Sequence, residues 1–416
     1  MLRLNRLSLV AAVAAASAAL AASGASAQVM QRSGATFHVS VCGASGPGVA
    51  RCHAHLVTDS GGNAIRLVVG NGRVLSMGAA AVSGGPYSPS QLRAAYGITG
   101  AGSPSTVVAI VDAYGYPNAA ADVAAYRAQY GLPTLNCAKA GSPCLRIVNE
   151  TGGTKLPATN AGWDEEQALD LDMVSAMCPN CSILLVQASS ASYADLATAE
   201  VEAAALGAHA IGNSYGGGES GSQGYASAYN LPGVAVTASA GDSGYGVAFP
   251  ASSPTVIAVG GTSLGWNGTT RAEVVWSGSG SGCSKVYAEP VWQVPSKTNP
   301  AMTNNTLCTM RMMNDVAAVA DPDTGVIVYM NIPPYAPGFY IFGGTSASAQ
   351  IISGIYGEKN NAVTSSGKPD PYAAYTSLFD VTSGSDGSCG GTYFCTAEVG
   401  YDGPTGLGAP KGDTAF

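Results

Sequence analysis

Residues 107–112, VVAIVD, form an apolar run that ends in an acid, a pattern typical of a strand buried on both faces. Further runs of this kind alternate with helical patterns after it. We predict strands at 107–112, 182–186, 210–214 and 234–238, and helices at 119–130, 163–177 and 193–206. Apolar strands separated by helices predict a parallel sheet with helices on both faces. In such α/β sheets the functional groups collect at the carboxyl ends of the strands.

The first residues of the chain have the features of an export signal. Arg3 and Arg6 precede an apolar, alanine-rich run at 7–20, and the small residues at 25–27 (ASA) mark a cleavage site. The apolar run is short for a membrane span. We therefore expect residues 1–27 to be a signal peptide and the protein to be secreted, either to the medium or to the periplasm.

The next residues differ in composition from the rest of the chain. They hold three of the four histidines, one cysteine pair and alternating apolar runs such as 65–69 (IRLVV). A Gly-Gly-Pro linker at 84–86 separates them from the alternating strands and helices. We therefore expect a short β-rich pro-segment at 28–85, followed by one large domain at 86–416.

The charge and glycine content limit the class of protein. The formal net charge of −8 provides no basic surface for nucleic acid or for an anionic membrane. The 55 glycines indicate many tight turns in a loop-rich globular chain and argue against a coiled coil. We expect no nucleic acid and, once the signal is removed, no membrane among the partners.

The ten cysteines fall into five close pairs. These pairs are Cys42/Cys52, Cys137/Cys144, Cys178/Cys181, Cys283/Cys308 and Cys389/Cys395. In an exported chain, disulfides between such neighbours are the expected state. The CPNC stretch at 178–181 also has the spacing of half a zinc site or of a redox motif. A structural zinc site needs four ligands, however, and no second pair has a zinc-finger spacing.

The predicted helix at 163–177 carries two carboxylates one turn apart. Glu166 and Asp170 stand at i and i+4 and share one helix face, whereas Glu165 and Asp172 are offset from it. Two carboxylates this close cannot both ionise cheaply, so one pKa should rise and the pair should titrate as a unit. Such a pair can take a proton from a hydroxyl group. A solvated acidic helix face would show the same spacing.

A serine nucleophile is suggested by residues 343–348, GGTSAS. Their small side chains allow a turn into a helix that exposes the Ser346 hydroxyl, although an ordinary glycine-rich loop has the same composition. Asp242, within SAGDSG at 239–244, directly follows a predicted strand and should lie at a carboxyl end. A serine nucleophile needs a base to take its proton, and that base is most often histidine.

The histidines do not fit this role. His38, His53 and His55 lie in the expected pro-segment, and His209 stands at the entrance of a strand rather than at its carboxyl end. A Ser-His-Asp arrangement therefore lacks its general base. The carboxylate pair remains as the base, which indicates an enzyme that works in acid.

From about residue 87 to residue 410 the chain resembles the sedolisin family of serine-carboxyl peptidases (S53-type), relatives of the subtilisins in which glutamate replaces histidine. The resemblance is carried by blocks in the family's order, among them YSP at 87–89, AIVD at 109–112, SAGDSG at 239–244, FPASSP at 249–254, DVAA at 315–318 and GGTSA at 343–347. It implies a subtilisin-like α/β fold, with a parallel sheet and helices on both faces, after a signal peptide and a short pro-segment.

The resemblance also implies a role for four residues. Ser346 would be the nucleophile, Glu166 the general base and later the acid, and Asp170 the carboxylate that orients Glu166. Asp242 would complete the oxyanion hole, and it would have to be protonated to donate a hydrogen bond there. A shared proton in the pair and a neutral Asp242 both favour acid pH. Gln350 stands where the family commonly has proline.

The family further carries one structural Ca²⁺ ion near its C-terminus. The resemblance places the carboxylates of Asp380 and Asp402 in that site, together with the main-chain carbonyls of Val381, Glu398 and Gly400. An all-oxygen set of this kind suits calcium. An ordinary acidic loop would have the same residues.

Together these features predict a secreted, monomeric serine-type endopeptidase that hydrolyses peptide bonds of proteins or peptides at acidic pH. One alternative is a subtilisin-type peptidase that uses Asp112 and His209, which would work near neutral pH and would need His209 to face Ser346. Another is a catalytically silent secreted homologue, a calcium-stabilised binding protein. That alternative would require a defect in the acidic pair or the serine, and the sequence shows none.

Overall fold

A computed structural model describes residues 29–70, 73–77, 84–296, 299–360 and 370–416 of the chain. The expected signal peptide at 1–27 lies outside the described residues. Within the described ranges, no helix combines the length and the apolar character that crossing a bilayer would need.

Strands dominate the N-terminal part of the described ranges, and strands and helices alternate from residue 89 onward. The helices are α1 (Pro89–Tyr96), α2 (Ala119–Gln129), α3 (Ala161–Met177), α4 (Tyr193–Ala205) and α5 (Thr345–Lys359). The strands are β1 (Met30–Ser33), β2 (Thr36–Ser40), β3 (Arg51–Cys52), β4 (His55–Thr58), β5 (Arg66–Gly70), β6 (Arg73–Met77), β7 (Val107–Ala113), β8 (Leu145–Asn149), β9 (Ser182–Ala188), β10 (Ala210–Asn213), β11 (Tyr215–Gly216), β12 (Ala235–Ser239), β13 (Ile257–Trp266), β14 (Arg271–Val275), β15 (Gly282–Ala288), β16 (Met310–Met313), β17 (Val316–Val319), β18 (Val326–Met330), β19 (Gly338–Gly343), β20 (Leu378–Phe379) and β21 (Ala409–Pro410).

The central sheet has the predicted parallel architecture. Its strand order is β14-β13-β12-β10-β7-β9-β8, and β17 pairs with β13 beside this path. All of these pairs are parallel except β13 with β14. The four predicted strands correspond to β7, β9, β10 and β12, and the three predicted helices to α2, α3 and α4. These predictions are confirmed.

Helices cover both faces of this sheet, as successive residues of β10 demonstrate. A Cβ at Gly212 would collide with the side-chain amide of Gln350, so that face of the strand meets α5. The side chain of Asn213 lies next to Glu200 of α4. Because neighbouring residues of a strand point to opposite faces, α4 and α5 lie on opposite sides of the sheet. The helix α3 packs against α5.

A second sheet joins the N-terminal strands to the strand that leads to Ser346. Its order is β1-β2-β4-β19-β5-β6, with β18 also paired to β19. β4 pairs antiparallel with β19 through Leu56 opposite Phe342 and His55 opposite Gly343. The expected pro-segment is thus β-rich where it is described, but its strands share a sheet with the large domain. Its cleavage from that domain remains a prediction.

Disulfides connect all five predicted cysteine pairs. Cys178 and Cys181 are bonded to each other, and this rules out the zinc alternative for that stretch. Every cysteine of the sequence is therefore accounted for.

Candidate active site

The acidic helix α3 is buried on all sides. Its first turn is capped by Asn160, whose side chain accepts a hydrogen bond from the N–H of Trp163. Glu166 and Asp170 have no exposed surface. Glu165 and Asp172 are buried as well, so the alternative of a solvated acidic face is wrong. Burial disfavours the ionised form of a carboxyl group, so these groups keep their protons up to a higher pH than surface carboxyl groups do.

Ser346 lies in the first turn of α5, at the point where β19 turns into the helix. The turn is made by Gly344, whose φ of 104° is strained for a residue with a side chain. A Cβ at Gly344 would also collide with the carbonyl of His53 and crowd the carboxylate of Asp242. Glycine is therefore required at position 344 for two reasons: the backbone has a positive φ, and the His53 carbonyl and Asp242 leave no room for a side chain. The Ser346 side chain is buried.

Glu166 faces the nucleophile from α3. Burial, followed by the charges of Asp170 and Asp112, raises the pKa of Glu166 well above its ordinary value, and the nearby Ser346 side chain opposes that rise. Within the described residues, neither Glu166 oxygen has a partner in hydrogen-bond geometry. The Ser346 hydroxyl instead donates to the carbonyl of Ser214 at 3.1 Å. The raised pKa lets Glu166 hold a proton at pH values at which a surface glutamate is ionised.

Asp170 lies one turn further along α3 and is held by two side chains. The Ser214 hydroxyl donates to its Oδ1 at 2.9 Å, and the Gln350 amide donates to its Oδ2 at 2.7 Å. Gln350 also donates to the Ser214 hydroxyl at 3.0 Å. Burial raises the pKa of Asp170 to about 7, and the hydrogen bonds from Ser214 and Gln350 oppose that rise. The sequence-based roles omit both Ser214 and Gln350.

Gln350 could have been found from its spacing. It stands four residues after Ser346 on α5, so both side chains share one helix face. Ser214 directly follows β10 and is at a carboxyl end of the central sheet. In α/β sheets the polar groups of the functional site collect at this edge.

A third carboxylate belongs to the same cluster. Asp112 is in β7 and fully buried, and burial together with the nearby charge of Asp170 raises the pKa of Asp112 well above its ordinary value. Three acids in one dry site cannot all be ionised together, because each charge disfavours the next. The cluster of Glu166, Asp170 and Asp112 therefore titrates as a unit with few negative charges.

Asp242 lies beyond the end of β12, where its carboxylate faces the turn before Ser346. It accepts hydrogen bonds from the N–H and the hydroxyl of Thr345, at 2.8 and 2.7 Å. His55 Nε2 stands 3.3 Å from its other oxygen. Burial would raise the pKa of Asp242, but the hydrogen bond and charge of His55, followed by the charge of His53, hold it below its ordinary value. This arrangement favours the carboxylate, whereas the oxyanion role predicts the neutral acid.

The N-terminal histidines lie at the site, next to Ser239 and Asp242. His53 Nδ1 is 2.7 Å from the Ser239 hydroxyl, and His38 Nδ1 is 2.9 Å from His55 Nδ1. All three side chains are buried. They are brought in by the sheet pairing of β2 and β4, which no local pattern signals.

His209 lies elsewhere. Its side chain is exposed, and its Nδ1 accepts a hydrogen bond from the N–H of Val107 at 3.2 Å, at the first residue of β7. Ser346 contacts Ser214, which follows the last residue of β10. The two side chains therefore stand at opposite ends of the parallel strands. The subtilisin-type alternative requires His209 to face Ser346, and it does not.

The two expected halves of a calcium site come together near the C-terminus. Asp380 accepts a hydrogen bond from the N–H of Gly400 at 2.9 Å, and its charge contributes to the raised pKa of Asp402, whose main cause is burial. Asp402 also accepts from the N–H groups of Glu398 and Thr405. The described residues contain no cluster of three or more acidic, histidine or cysteine side chains suited to a metal.

Comparisons with known proteins agree with the fold. The model of the subtilase family matches residues 151–370. Kumamolisin from Bacillus sp. (strain MN-32) is 30% identical over 310 residues, which is 65% of this chain and 54% of kumamolisin. Sedolisin from Pseudomonas sp. (strain 101) is 33% identical over 184 residues, which is 40% of this chain and 29% of sedolisin. The chain thus spans about half or less of the length of these curated relatives.

Among solved structures, that of Pseudomonas sedolisin, a serine-carboxyl proteinase complexed with two molecules of pseudo-iodotyrostatin, matches with a TM-score of 0.66. The match is 23% identical and covers 79% of this chain and 96% of that one, so it establishes the subtilisin-like α/β fold. The chain belongs to the subtilase family and, within it, to the sedolisin family.

Proposed function

We propose that this chain is a serine-carboxyl endopeptidase that hydrolyses peptide bonds of proteins at acidic pH. The observation that carries the proposal is the position of Ser346 beside the buried acids Glu166 and Asp170, at the carboxyl ends of the central strands. A hydroxyl next to a carboxyl group is a nucleophile paired with a proton acceptor whenever that carboxyl group is ionised. Family membership supports the same reaction class.

In the proposed mechanism the Ser346 Oγ attacks the carbonyl carbon of the substrate peptide bond while ionised Glu166 takes the serine proton. Glu166 then gives that proton to the leaving amine, because burial and its acidic neighbours raise its pKa and make it an effective acid. Water hydrolyses the acyl-enzyme with Glu166 again as the base. Asp170, held by Ser214 and Gln350, orients Glu166 throughout.

The developing negative oxygen needs hydrogen-bond donors. The N–H of Ser346 is one, and protonated Asp242 would be the other. Asp242 can become a donor only when His55 no longer favours its carboxylate form. Acid pH promotes the neutral form of Asp242, but at a lower pH than it promotes a shared proton in the Glu166/Asp170 pair, because His55 holds the pKa of Asp242 down whereas burial raises the pKa values of the pair.

Digestion of a denatured protein between pH 3 and pH 8 tests this proposal. Four versions are compared: the wild type, Ser346→Ala, Glu166→Gln and His209→Ala. We expect activity in acid that His209→Ala preserves and that the other two substitutions abolish. Dependence on His209 would refute the carboxylate base, and activity in none of the versions would favour the silent binding protein.

We also propose one structural Ca²⁺ ion held by Asp380 and Asp402 with the carbonyls of Val381, Glu398 and Gly400. Two acidic side chains close together in partly and fully buried positions fit a cation, since an ion would offset their repulsion. The ion would tie the two C-terminal loops together. Chelation should lower the melting temperature of the wild type and leave that of Asp380→Asn unchanged. Equal melting of the wild type with and without chelator would rule the ion out.

The remaining proposals concern processing and partners. We propose that residues 1–27 direct secretion, that residues 28–85 are a pro-segment, and that the enzyme acts on proteins or peptides as a monomer. N-terminal sequencing of the exported protein would give the cleavage points. A start at residue 28 supports the signal peptide, and a start near residue 86 supports removal of the pro-segment. Sedimentation of the purified chain tests the monomer.

A further inference from the structure

One tyrosine has a strained backbone conformation at the carboxyl end of the central sheet. Among the described residues, Tyr114 and Asn360 are the only residues other than glycine with a positive φ, 64° and 52°. Asn360 caps the C-terminus of α5, where a left-handed residue is common. Tyr114 instead directly follows the last residue of β7, two residues after Asp112, and a bulky side chain is seldom found in this conformation. Strain of this kind clusters at functional sites.

Hydrogen bonds on both sides of Tyr114 keep its backbone in place. Its N–H donates to the carbonyl of Ala188 at 2.8 Å, and its carbonyl accepts from the side-chain amide of Gln167 at 3.3 Å. Gln167 is itself held by a hydrogen bond from Gln187 at 2.8 Å, and both glutamines are fully buried. A strained residue persists only where its surroundings fix it in this way. The direction of the Tyr114 side chain is therefore set by the fold.

The ring of Tyr114 belongs to a row of aromatic side chains beside the acidic cluster. The ring of Trp163 lies 6.3 Å from that of Tyr114 and 6.2 Å from that of Tyr215. Trp163 stands one turn before the proposed base Glu166 on α3, and Tyr215 is the first residue of β11. Trp163 and Tyr215 are buried, whereas Tyr114 is half-buried. Tyr114 is therefore the member of the row that a ligand can reach.

The direction of β11 shows which part of a substrate would lie along this row. The edge of β11 pairs antiparallel with the short strand β3, so it can accept an extended peptide when β3 leaves it. β11 leads away from Ser214, whose carbonyl accepts a hydrogen bond from the Ser346 hydroxyl. An antiparallel peptide on this edge would therefore run towards the nucleophile. The residues that it places along β11 are those that precede the cut bond.

The two faces of β11 would receive different side chains of such a peptide. Gly216 borders a cavity of about 380 Å³ that Gly241 and Asp242 also line. Tyr215 points to the opposite face, towards Trp163, because neighbouring residues of a strand alternate. An extended substrate alternates in the same way. The residue before the cut bond would enter the cavity, and the second residue before it would meet the aromatic row.

We infer that Tyr114, together with Trp163 and Tyr215, forms an aromatic subsite that selects an apolar side chain at the second residue before the cut bond. The inference rests on the proposed peptidase function, because Ser346 defines the cut bond. Aromatic rings offer a flat apolar surface, and an aliphatic side chain that covers the ring of Tyr114 removes apolar area from water. Tyr114 is the residue that determines specificity, since its ring is the accessible one.

Hydrolysis of two peptides that differ only at the second residue before the cut bond, leucine or glycine, tests the inference. The exported wild type is compared with Tyr114→Gly, with Tyr114→Phe, which keeps the ring, and with the control Asn360→Gly at the other left-handed position. We expect the wild type to favour the leucine peptide in kcat/KM by at least roughly 10-fold. Tyr114→Gly should lose most of that preference, and the other two variants should keep it. No preference in the wild type, or an unchanged preference in Tyr114→Gly, would overturn the subsite.

Two further measurements need no turnover. In calorimetry, a product peptide that ends at the cut bond should bind the exported wild type more tightly with leucine than with glycine as its penultimate residue, and Tyr114→Gly should remove the difference. Equal binding of the two peptides, or binding of neither, would contradict the inference. Tyr114→Gly should also melt at a higher temperature than Tyr114→Ala, because glycine adopts a positive φ without strain, and the reverse order would refute the strained conformation. Failure of the peptidase proposal would be recognised separately, as no hydrolysis of either peptide despite the binding preference.

Discussion

The replacement of Gln350 by methionine would test how Asp170 is kept in its working form. Gln350 donates to the Asp170 carboxylate at 2.7 Å and to the Ser214 hydroxyl at 3.0 Å, and Ser214 in turn donates to Asp170. Methionine keeps the length of the side chain but removes both hydrogen bonds. The packing of α5 against the sheet is then altered little, while the carboxylate loses a buried donor.

The magnitude follows from the charge on the acceptor. A hydrogen bond to a charged group contributes about 1.5–3 kcal/mol, which corresponds to a fall in kcat/KM of roughly 10- to 150-fold if the ionised form of Asp170 is needed. The sign of the pH effect is also fixed. The bond from Gln350 lowers the pKa of Asp170, so its removal raises that pKa and moves the acid limb of the activity profile to higher pH.

The assay is the hydrolysis of a chromogenic peptide from pH 3 to pH 8 by the wild type and Gln350→Met in the same background. The KM should change little, because Gln350 lies one turn beyond the nucleophile on α5, where it is buried against Asp170 and Ser214. A control substitution, Ser353→Ala, changes a buried polar side chain on the same helix that makes no bond to the acidic cluster. Unchanged kcat/KM and an unmoved acid limb in Gln350→Met would refute the positioning role.

Two further predictions concern stability. Asp315→Asn should lower the free energy of unfolding by about 3–5 kcal/mol in denaturant titration, because Arg311 bonds both Asp315 oxygens at 2.7 and 2.5 Å and would be left buried without its charge partner. As a control, Asp413→Asn should cost less than about 1 kcal/mol, because the ion pair of Asp413 with Lys359 is only partly buried. Burial raises the pKa of Glu200 to about 8, so its contribution to stability is full below the unfolded-state pKa near ~4.3 and is lost as pH rises towards 8. Glu200→Gln should therefore reduce the fall in melting temperature between pH 5 and pH 8, which is about the interval between those two pKa values. The control Glu202→Gln on the same helix should show the same fall as the wild type.

The central sheet could be predicted because its information is local. Each strand such as β7 is an uninterrupted apolar run between helical patterns, and a parallel sheet buried on both faces demands that composition. The pairing of Glu166 with Asp170 was equally accessible, since helical spacing alone puts them on one face. Burial of that face was not, because α3 gains its cover from α5 and from β18, which lie far away in the chain.

The neighbours of the acidic cluster depend on contacts of the same long-range kind. Gln350 meets Asp170 across 180 residues of sequence, and Ser214 meets Ser346 across 132. No window of sequence contains both partners, so their bonds have no local pattern. The course of residues 51–55 was hidden for a similar reason, because the pairing of β4 with β19 joins strands from opposite ends of the chain.

The shared strand β19 has a consequence for any form of the protein that lacks the N-terminal residues. The side chains of Ile341 in β19 and Ile327 in β18 are buried in a small cluster with Val57, Ile65 and Leu67. Without residues 29–70, this cluster would be uncovered and the hydrogen-bonding edge of β19 would be left bare. An open apolar edge of this kind templates the addition of strands from other molecules. Recombinant chains synthesised without residues 28–85 should therefore self-associate and precipitate, whereas a chain that is cleaved only after folding should keep the strands of the segment paired with β19 and stay a monomer.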